Sequence, residues 1–242
     1  MSEAKYFNFP VKLLEGIFYL QKGFFDEVLS YALYSHSLKL ELGESDFDNF
    51  KAAEKYFNIK LGNDRQSYKQ GKELFDSIPA DSPKVGLNTS IFWDFYKNHK
   101  TDFDIACLAA FLAIKSIIGT KPYCKMNNAY LWARMSGNSK AMKEVSELSD
   151  DVKRYANEYQ TVKIKNALRE DWNLVTYSRY TRGFYVSFTL KLPELIMEAE
   201  KRRKSTKEKQ YRQHESEIVK QVLQELSTPQ KKEDPIKDEY DF

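Results

Sequence analysis

Four polar residues of segment 161–172 carry side chains suited to reading nucleic acids. Lys163, Lys165 and Arg169 can bind phosphates or guanine edges, and Asn166 can pair with adenine. Apolar residues recur at helical spacing through this segment, which predicts a helix with Thr161 and these four residues outside its buried face. The residues expected to face inward are Val162, Ile164, Ala167, Leu168 and Trp172. This pattern favours a groove-reading helix, and the solvated face of an ordinary surface helix is the alternative.

Two arginines lie close behind, in a segment that predicts a β-hairpin. Residues 174–188 are rich in β-branched and aromatic side chains, with Gly183 at a turn near 180–183. Arg179 and Arg182 flank this turn, where an arginine can reach a backbone phosphate or a minor groove. Hairpin tyrosines that could take part are Tyr177, Tyr180 and Tyr185.

The formal net charge of +3 conceals an uneven distribution along the chain. Residues 151–190 hold seven basic and four acidic residues, and residues 191–214 hold eight and four. Residues 215–242 reverse this balance, with four basic and eight acidic residues. The densest basic run is Lys201, Arg202, Arg203 and Lys204, which we expect to make sequence-independent phosphate contacts. A solvated helix face is again the alternative.

The residue types that usually mark an enzyme do not cluster in this sequence. The histidines His36, His99 and His214 lack metal-ligand spacing, and we expect them at the surface. The pairs Asp46/Asp48 and Asp102/Asp104 stand where helix caps belong. Cys107 lies in an apolar helical run, which predicts a buried, unreactive thiol. We therefore expect no catalytic residue, metal site or cofactor.

The elements that would position these side chains are mainly helical. In the first hundred residues the patterns predict helices at 24–40, from Asp46, at 68–78 and from Thr89, with short connections. From Thr101 they predict a helix to Ile118, a short strand within 121–126, a helix at 129–135 and a helical segment from Asp150 or Asp151 to about Trp172. The hairpin follows, and a last helix carries the basic run. The fold class expected is therefore mainly α with a small β-hairpin.

In this order of elements, residues 101–190 resemble a winged helix-turn-helix domain. The residues that carry the likeness are the helix Thr161–Trp172, the entry Asn173-Leu174-Val175 into the hairpin, and the Arg-Gly tip. The resemblance implies that the third helix enters the DNA major groove and that the hairpin contacts the adjacent backbone. It therefore implies double-stranded DNA as the partner.

The expected domains are a helical domain at 1–100, a winged helix-turn-helix domain at 101–192, a basic helix at 193–227 and a disordered acidic tail at 228–242. The leading hypothesis is a DNA-binding transcriptional regulator, or a replication or mobile-element accessory factor. A protein-interaction module with a structural winged helix, and an enzyme without a known motif, are the alternatives. Two copies could pair through the N-terminal domain or the C-terminal helix.

The sequence also bears on the compartment. The N-terminus lacks the basic and apolar regions of a signal peptide. The longest apolar run, 105–118, is interrupted by Lys115 and Ser116 and falls short of the roughly 20 residues that a bilayer requires. We therefore expect a cytoplasmic protein without membrane association.

Overall fold

The computed structural model describes residues 4–19, 21–40, 45–141, 145–179 and 183–227. The structure is mainly α, which confirms the expected fold class. The helices are α1 (Gln21–Ser37), α2 (Asp46–Phe57), α3 (Asp64–Ser77), α4 (Thr89–Lys97), α5 (Asp102–Ile118), α6 (Asn128–Met135), α7 (Asp150–Lys153), α8 (Glu158–Asp171) and α9 (Leu192–Ser227). The strands are β1 (Tyr6–Pro10), β2 (Lys84–Asn88), β3 (Cys124–Met126), β4 (Val175–Tyr177) and β5 (Phe184–Ser187). Short 3-10 helices lie at Val11–Gly16 and Val145–Glu147.

Local capping explains where several helices begin. The Ser45 side chain caps α2 and forms a reciprocal capping box with Asp48. Thr101 does the same for α5 with Asp104, and the hydroxyl of Thr101 accepts from the Asp104 backbone N–H at 3.2 Å. Gly119 ends α5 with a φ of +60°, a conformation that glycine adopts without a steric penalty. Asp48 and Asp104 therefore take part in capping as expected, whereas Asp46 and Asp102 are the first residues of their helices and the capping side chains are those of Ser45 and Thr101.

The first hundred residues contain two strands, so the expectation that they form only helices with short connections is wrong. β1 and β2 pair antiparallel, with Phe7 opposite Leu87 and Phe9 opposite Val85. Their apolar side chains alternate with polar ones and point into the core. Each strand has five residues and its partner lies almost eighty positions away, so the local pattern alone was too short to indicate the pairing.

Helix α5 occupies the centre of a continuous hydrophobic core. It contacts β2 and the first 3-10 helix on one side, and α6, α8 and β5 on others. Leu108, Leu112 and Ile114 are fully buried, and apolar residues surround the helix, as a helix enclosed by other elements requires. The described residues up to Leu195 form one compact unit, so the boundary expected after residue 100 lies within a shared core.

The second sheet has the strand order β3-β5-β4 and is antiparallel throughout. β5 pairs with β4 as the expected hairpin and also with β3, where Lys125 lies opposite Tyr185. The base of the hairpin is therefore held by a strand that precedes α6. The helical segment expected from Asp150 to Trp172 is interrupted, because Asn157 caps a new helix and accepts from the Gln160 backbone N–H at 2.9 Å.

The second compact unit begins at Ile196, close to the boundary expected at residue 193. Its described residues continue helix α9 to Ser227. The expected acidic tail, 228–242, lies outside the described residues.

Candidate nucleic-acid interface

Helix α8 is held against the core by the apolar side chains of Ile164 and Leu168, both buried. Thr161 is buried as well, because its hydroxyl accepts a hydrogen bond from the Trp132 indole N–H at 3.0 Å. Val162 is instead 51% exposed. The expected orientations of Thr161 and Val162 are therefore wrong, since a polar partner on α6 draws the threonine inward.

The outer face of α8 consists of exposed side chains of mixed chemistry. Its members are Tyr159, Val162, Lys163, Asn166, Arg169 and Glu170. Three of the four polar residues singled out in the sequence, Lys163, Asn166 and Arg169, belong to this face. The Lys163 ammonium nitrogen lies 4.5 Å from the Phe103 ring centroid, so one edge of the face borders α5.

Arg169 links the outer face to the hairpin. Its guanidinium donates to the Asn166 side-chain oxygen at 2.9 Å and also to the Thr176 hydroxyl on β4. These contacts fix the arginine beside the hairpin, and a guanidinium retains further N–H donors for a third group. Helix and hairpin are therefore joined by the side chain expected to contact nucleic acid.

Lys165 departs from the expected open position. Its ammonium donates to the Asn128 side-chain oxygen at 2.9 Å and lies 3.4 Å from the Phe184 ring centroid. Burial, with a smaller contribution from Arg169, lowers the pKa of Lys165 to about 8. Lys165 therefore lies in a groove between α8, α6 and the hairpin rather than on the outer face.

That groove, the hairpin groove, lies between α8, the start of α6 and the hairpin, and its volume is about 460 Å³. Its lining includes Asn128, Lys165, Arg169, Thr176, Ser178 and Gly183. Its hydroxyl, amide and cationic groups together can hold an oxyanion such as a phosphate, although the Glu158 carboxylate, which also lines the groove, opposes one. Asn128, Thr176 and Ser178 were missed in the sequence. Asn128 directly precedes a predicted helix, and no local pattern distinguishes Thr176 or Ser178 within the predicted hairpin.

The hairpin arginines are only partly described. Arg179 is exposed just after β4, whereas Arg182, with Tyr180, lies outside the described residues. Tyr185 is buried beside Tyr123 with ring centroids 6.2 Å apart, so this tyrosine belongs to the packed sheet. The expectation of a functional role for Tyr185 is not supported by its position.

The basic run lies on helix α9 in the second compact unit. Lys201, Arg202 and Lys204 are exposed. Arg203 is partly exposed, and its guanidinium pairs with Glu200 at 2.7 Å. Residues 201–212 hold seven basic residues and one acidic residue, so the helix presents dense positive charge on every side.

His36 and Cys107, which were also considered in the sequence, are packed against neighbouring residues. His36 is half-buried rather than at the surface, with its ring stacked on Tyr56 at 4.6 Å between centroids, and burial lowers its pKa. Cys107 is buried as expected, and burial raises the pKa of its thiol to about 12. Such a thiol is unreactive as a nucleophile near neutral pH.

No family model matches the chain, and no match was found among the curated proteins or the solved structures. Within the described ranges, no helix combines the length and apolar character needed to cross a membrane. The same ranges contain no group of three His, Cys, Asp or Glu side chains placed to hold a metal ion.

The lowered pKa of Lys165 leads to a pH-dependent prediction for Lys165→Met. Between pH 8 and the ordinary lysine pKa, the unfolded chain binds more protons than the folded one, so the free energy of unfolding rises with pH. We expect the wild-type protein to gain stability over Lys165→Met as pH rises from about 8 to about 10. Urea unfolding across this range measures the difference.

Lys163→Met is the matched control, because it removes an exposed ammonium from the same helix. If the difference in free energy of unfolding from the wild-type protein changed equally with pH in both variants, the effect would not come from the buried lysine.

Proposed function

We propose that this chain binds double-stranded DNA, with residues 101–190 acting as a winged helix-turn-helix domain. The observation that carries the proposal is the placement of Arg169, which joins the outer face of α8 to β4 and keeps cationic and amide groups beside the hairpin. Such a protein would serve as a transcriptional regulator, or as a replication or mobile-element accessory factor, in the cytoplasm.

The order of the elements supports the proposal. Helices α5, α6 and α8 precede the hairpin, and β3 ties the hairpin's base to the helices. In helix-turn-helix proteins the recognition helix lies in the major groove, which is about 12 Å wide. Helix α8 has fourteen residues, a length of about 21 Å, and one of its faces is open to such a groove.

Four side chains on the outer face of α8 suit contacts with DNA. Asn166 lies near the middle of the exposed side and suits an adenine edge, whereas Lys163 and Arg169 flank it and suit phosphates or guanine. The exposed methyl groups of Val162 suit the methyl group of thymine. We assign Lys165 to positioning the hairpin against α8, because its ammonium is held within the hairpin groove.

The other basic groups would contact the DNA backbone. Arg179 and Arg182 would do so from the hairpin, and the run Lys201, Arg202, Arg203 and Lys204 would neutralise phosphates independently of base sequence. Further along α9, two copies could pair through the exposed apolar side chains Ile218, Val219, Val222 and Leu223.

Fluorescence anisotropy with a random-sequence duplex, between about 50 and 200 mM salt, tests DNA binding. We expect the logarithm of the association constant to fall with the logarithm of the salt concentration, with a slope of several units. Changing the run 201–204 to alanine should make this slope smaller by about 3 to 4, because each phosphate contact contributes about 0.9. Arg169→Ala should weaken binding by about tenfold or more, since it removes a cation and releases the hairpin.

Lys69→Ala is the control, because it removes the same charge from an exposed site on α3 and should leave binding unchanged. Absence of binding at low salt to both random and selected duplexes would overturn the proposal.

A protein-interaction module is the second candidate function, and the composition of α8 favours it. Tyr159 is 74% exposed beside Val162, which gives the helix an open apolar patch. Helix α8 also has three basic and three acidic residues, so its net charge is zero. A photo-crosslinking residue in place of Tyr159 separates the candidates, since it would label DNA in the first and a polypeptide in the second.

A further inference from the structure

A second cavity lies in the first compact unit, away from the hairpin groove. It is bordered by α1, the 3-10 helix Val11–Gly16, the segment 77–83 and the turn 137–139 after α6, and its volume is about 560 Å³. Small-molecule sites in proteins usually have volumes of about 300–1,000 Å³. We call this cavity the Glu27 cleft.

About half of the residues that line the Glu27 cleft are apolar. Leu13, Leu74, Ile78, Pro79 and Pro83 line it. The turn after α6 is seated closely on the 3-10 helix, because a Cβ on Gly137 would lie 2.8 Å from the Lys12 carbonyl oxygen. With a φ of +78° at Gly137, only glycine fits this approach easily, which gives the cleft a defined floor.

The Glu27 cleft contains one carboxylate whose charge is not balanced. Glu15 pairs with Lys12. Glu27 makes no ion pair or hydrogen bond with any other residue that the structure describes. It is half-buried, and burial raises the pKa of its carboxyl group. A partly desolvated carboxylate without a partner is costly, and a cation that enters the cleft would relieve this cost.

We propose that the Glu27 cleft binds a small organic cation, a primary amine or guanidinium with an apolar body. The Glu27 carboxylate pairs with the cationic group, and the apolar body packs on Leu74, Ile78 and Pro83. An inorganic cation would leave these walls uncovered, and a neutral apolar molecule would leave the carboxylate unpaired. The site is independent of DNA binding, because none of its lining residues belongs to the outer face of α8 or to the hairpin groove.

Nuclear magnetic resonance titration of the full chain tests the proposal with 2-phenylethylamine, cyclohexylamine and agmatine. The neutral analogue 2-phenylethanol matches the first probe in shape. We expect the amines to bind in the millimolar range or tighter, as ligands of this size commonly do, and at least tenfold more tightly than the alcohol.

Glu27→Gln should reduce the affinity for the amines at least tenfold and leave the affinity for the alcohol unchanged. Glu15→Gln is the matched control, since it changes the other carboxylate of the cleft, which already has a cation beside it. Thermal unfolding of both variants verifies that they fold; Glu27→Gln should be at least as stable as the wild-type protein, because it removes a desolvated charge.

Three results would overturn the proposal: no binding of any of the amines at about 10 mM, equal affinity for amine and alcohol, or an unchanged amine affinity in Glu27→Gln. None of these results bears on DNA binding, which is measured separately.

Discussion

Replacement of Phe7 by alanine should lower the free energy of unfolding by about 3–5 kcal/mol. The Phe7 ring is fully buried and lies between Phe92, at 4.8 Å between ring centroids, and Phe57, at 5.0 Å. Its removal would leave a cavity among rigid aromatic rings, which cannot close around the lost volume. Urea unfolding followed by circular dichroism measures the loss.

Tyr6→Ala is the control for Phe7→Ala. Tyr6 is the neighbouring residue of β1, its side chain points to the opposite face, and it is 42% exposed. Although it removes a larger side chain, we expect it to cost less than about 1 kcal/mol, because little buried volume is lost.

Phe7→Ala also tests whether the described residues of 4–195 unfold together. Since β1, α5 and α8 belong to one core, Phe7→Ala should also accelerate amide hydrogen exchange in α8. Unchanged exchange in α8 would mean that the first hundred residues unfold separately, as two domains divided after residue 100 would.

Gly183→Ala should lower the free energy of unfolding by about 2–5 kcal/mol, from two causes. Gly183 has a φ of +102°, a conformation that alanine rarely adopts. A Cβ at this position would also lie 2.3 Å from the Met126 carbonyl oxygen, and the backbone of β3 would have to move. The hairpin would then shift relative to the start of α6, and the hairpin groove would change shape.

Gly119→Ala separates the two causes. Gly119 also has a positive φ, +60°, but a Cβ there would meet nothing within 4 Å. We expect a cost of about 1–3 kcal/mol from conformation alone, because Gly119 combines this φ with a ψ of −126°, a region that alanine rarely enters. Urea unfolding compares the two variants, and equal losses would show that Gly183 is not constrained by its contact with β3. Under the proposed function, only Gly183→Ala should also weaken DNA binding, measured at a temperature where both variants are folded.

The helices were the most predictable part of the structure, because their signals are local. A capping side chain lies three residues from the backbone group that it satisfies, as at Thr101 and Asp104. The apolar stripe of a helix is complete within about four turns, so the existence and approximate extent of α1, α2, α4, α5 and α6 follow from short windows of sequence. The hairpin β4-β5 is local as well.

Strand pairing over long distances was not predictable in the same way. β1 finds its partner in β2 almost eighty residues later, and β3 finds β5 some sixty residues later. A five-residue strand has too few positions to establish a period on its own, and its stability comes from the partner and from the helices that cover it.

The candidate interface was also only partly predictable from the sequence. The sequence alone determined a mainly helical chain, the approximate starts of its helices, the hairpin and the concentration of basic residues in 151–214. Only the tertiary structure decided which side chains are open: Thr161 is drawn inward by Trp132, Lys165 is held by Asn128 and Phe184, and Val162 is left outside. The physical reason is that a helical pattern specifies which residues share a face, whereas burial depends on partners that other elements bring to that face.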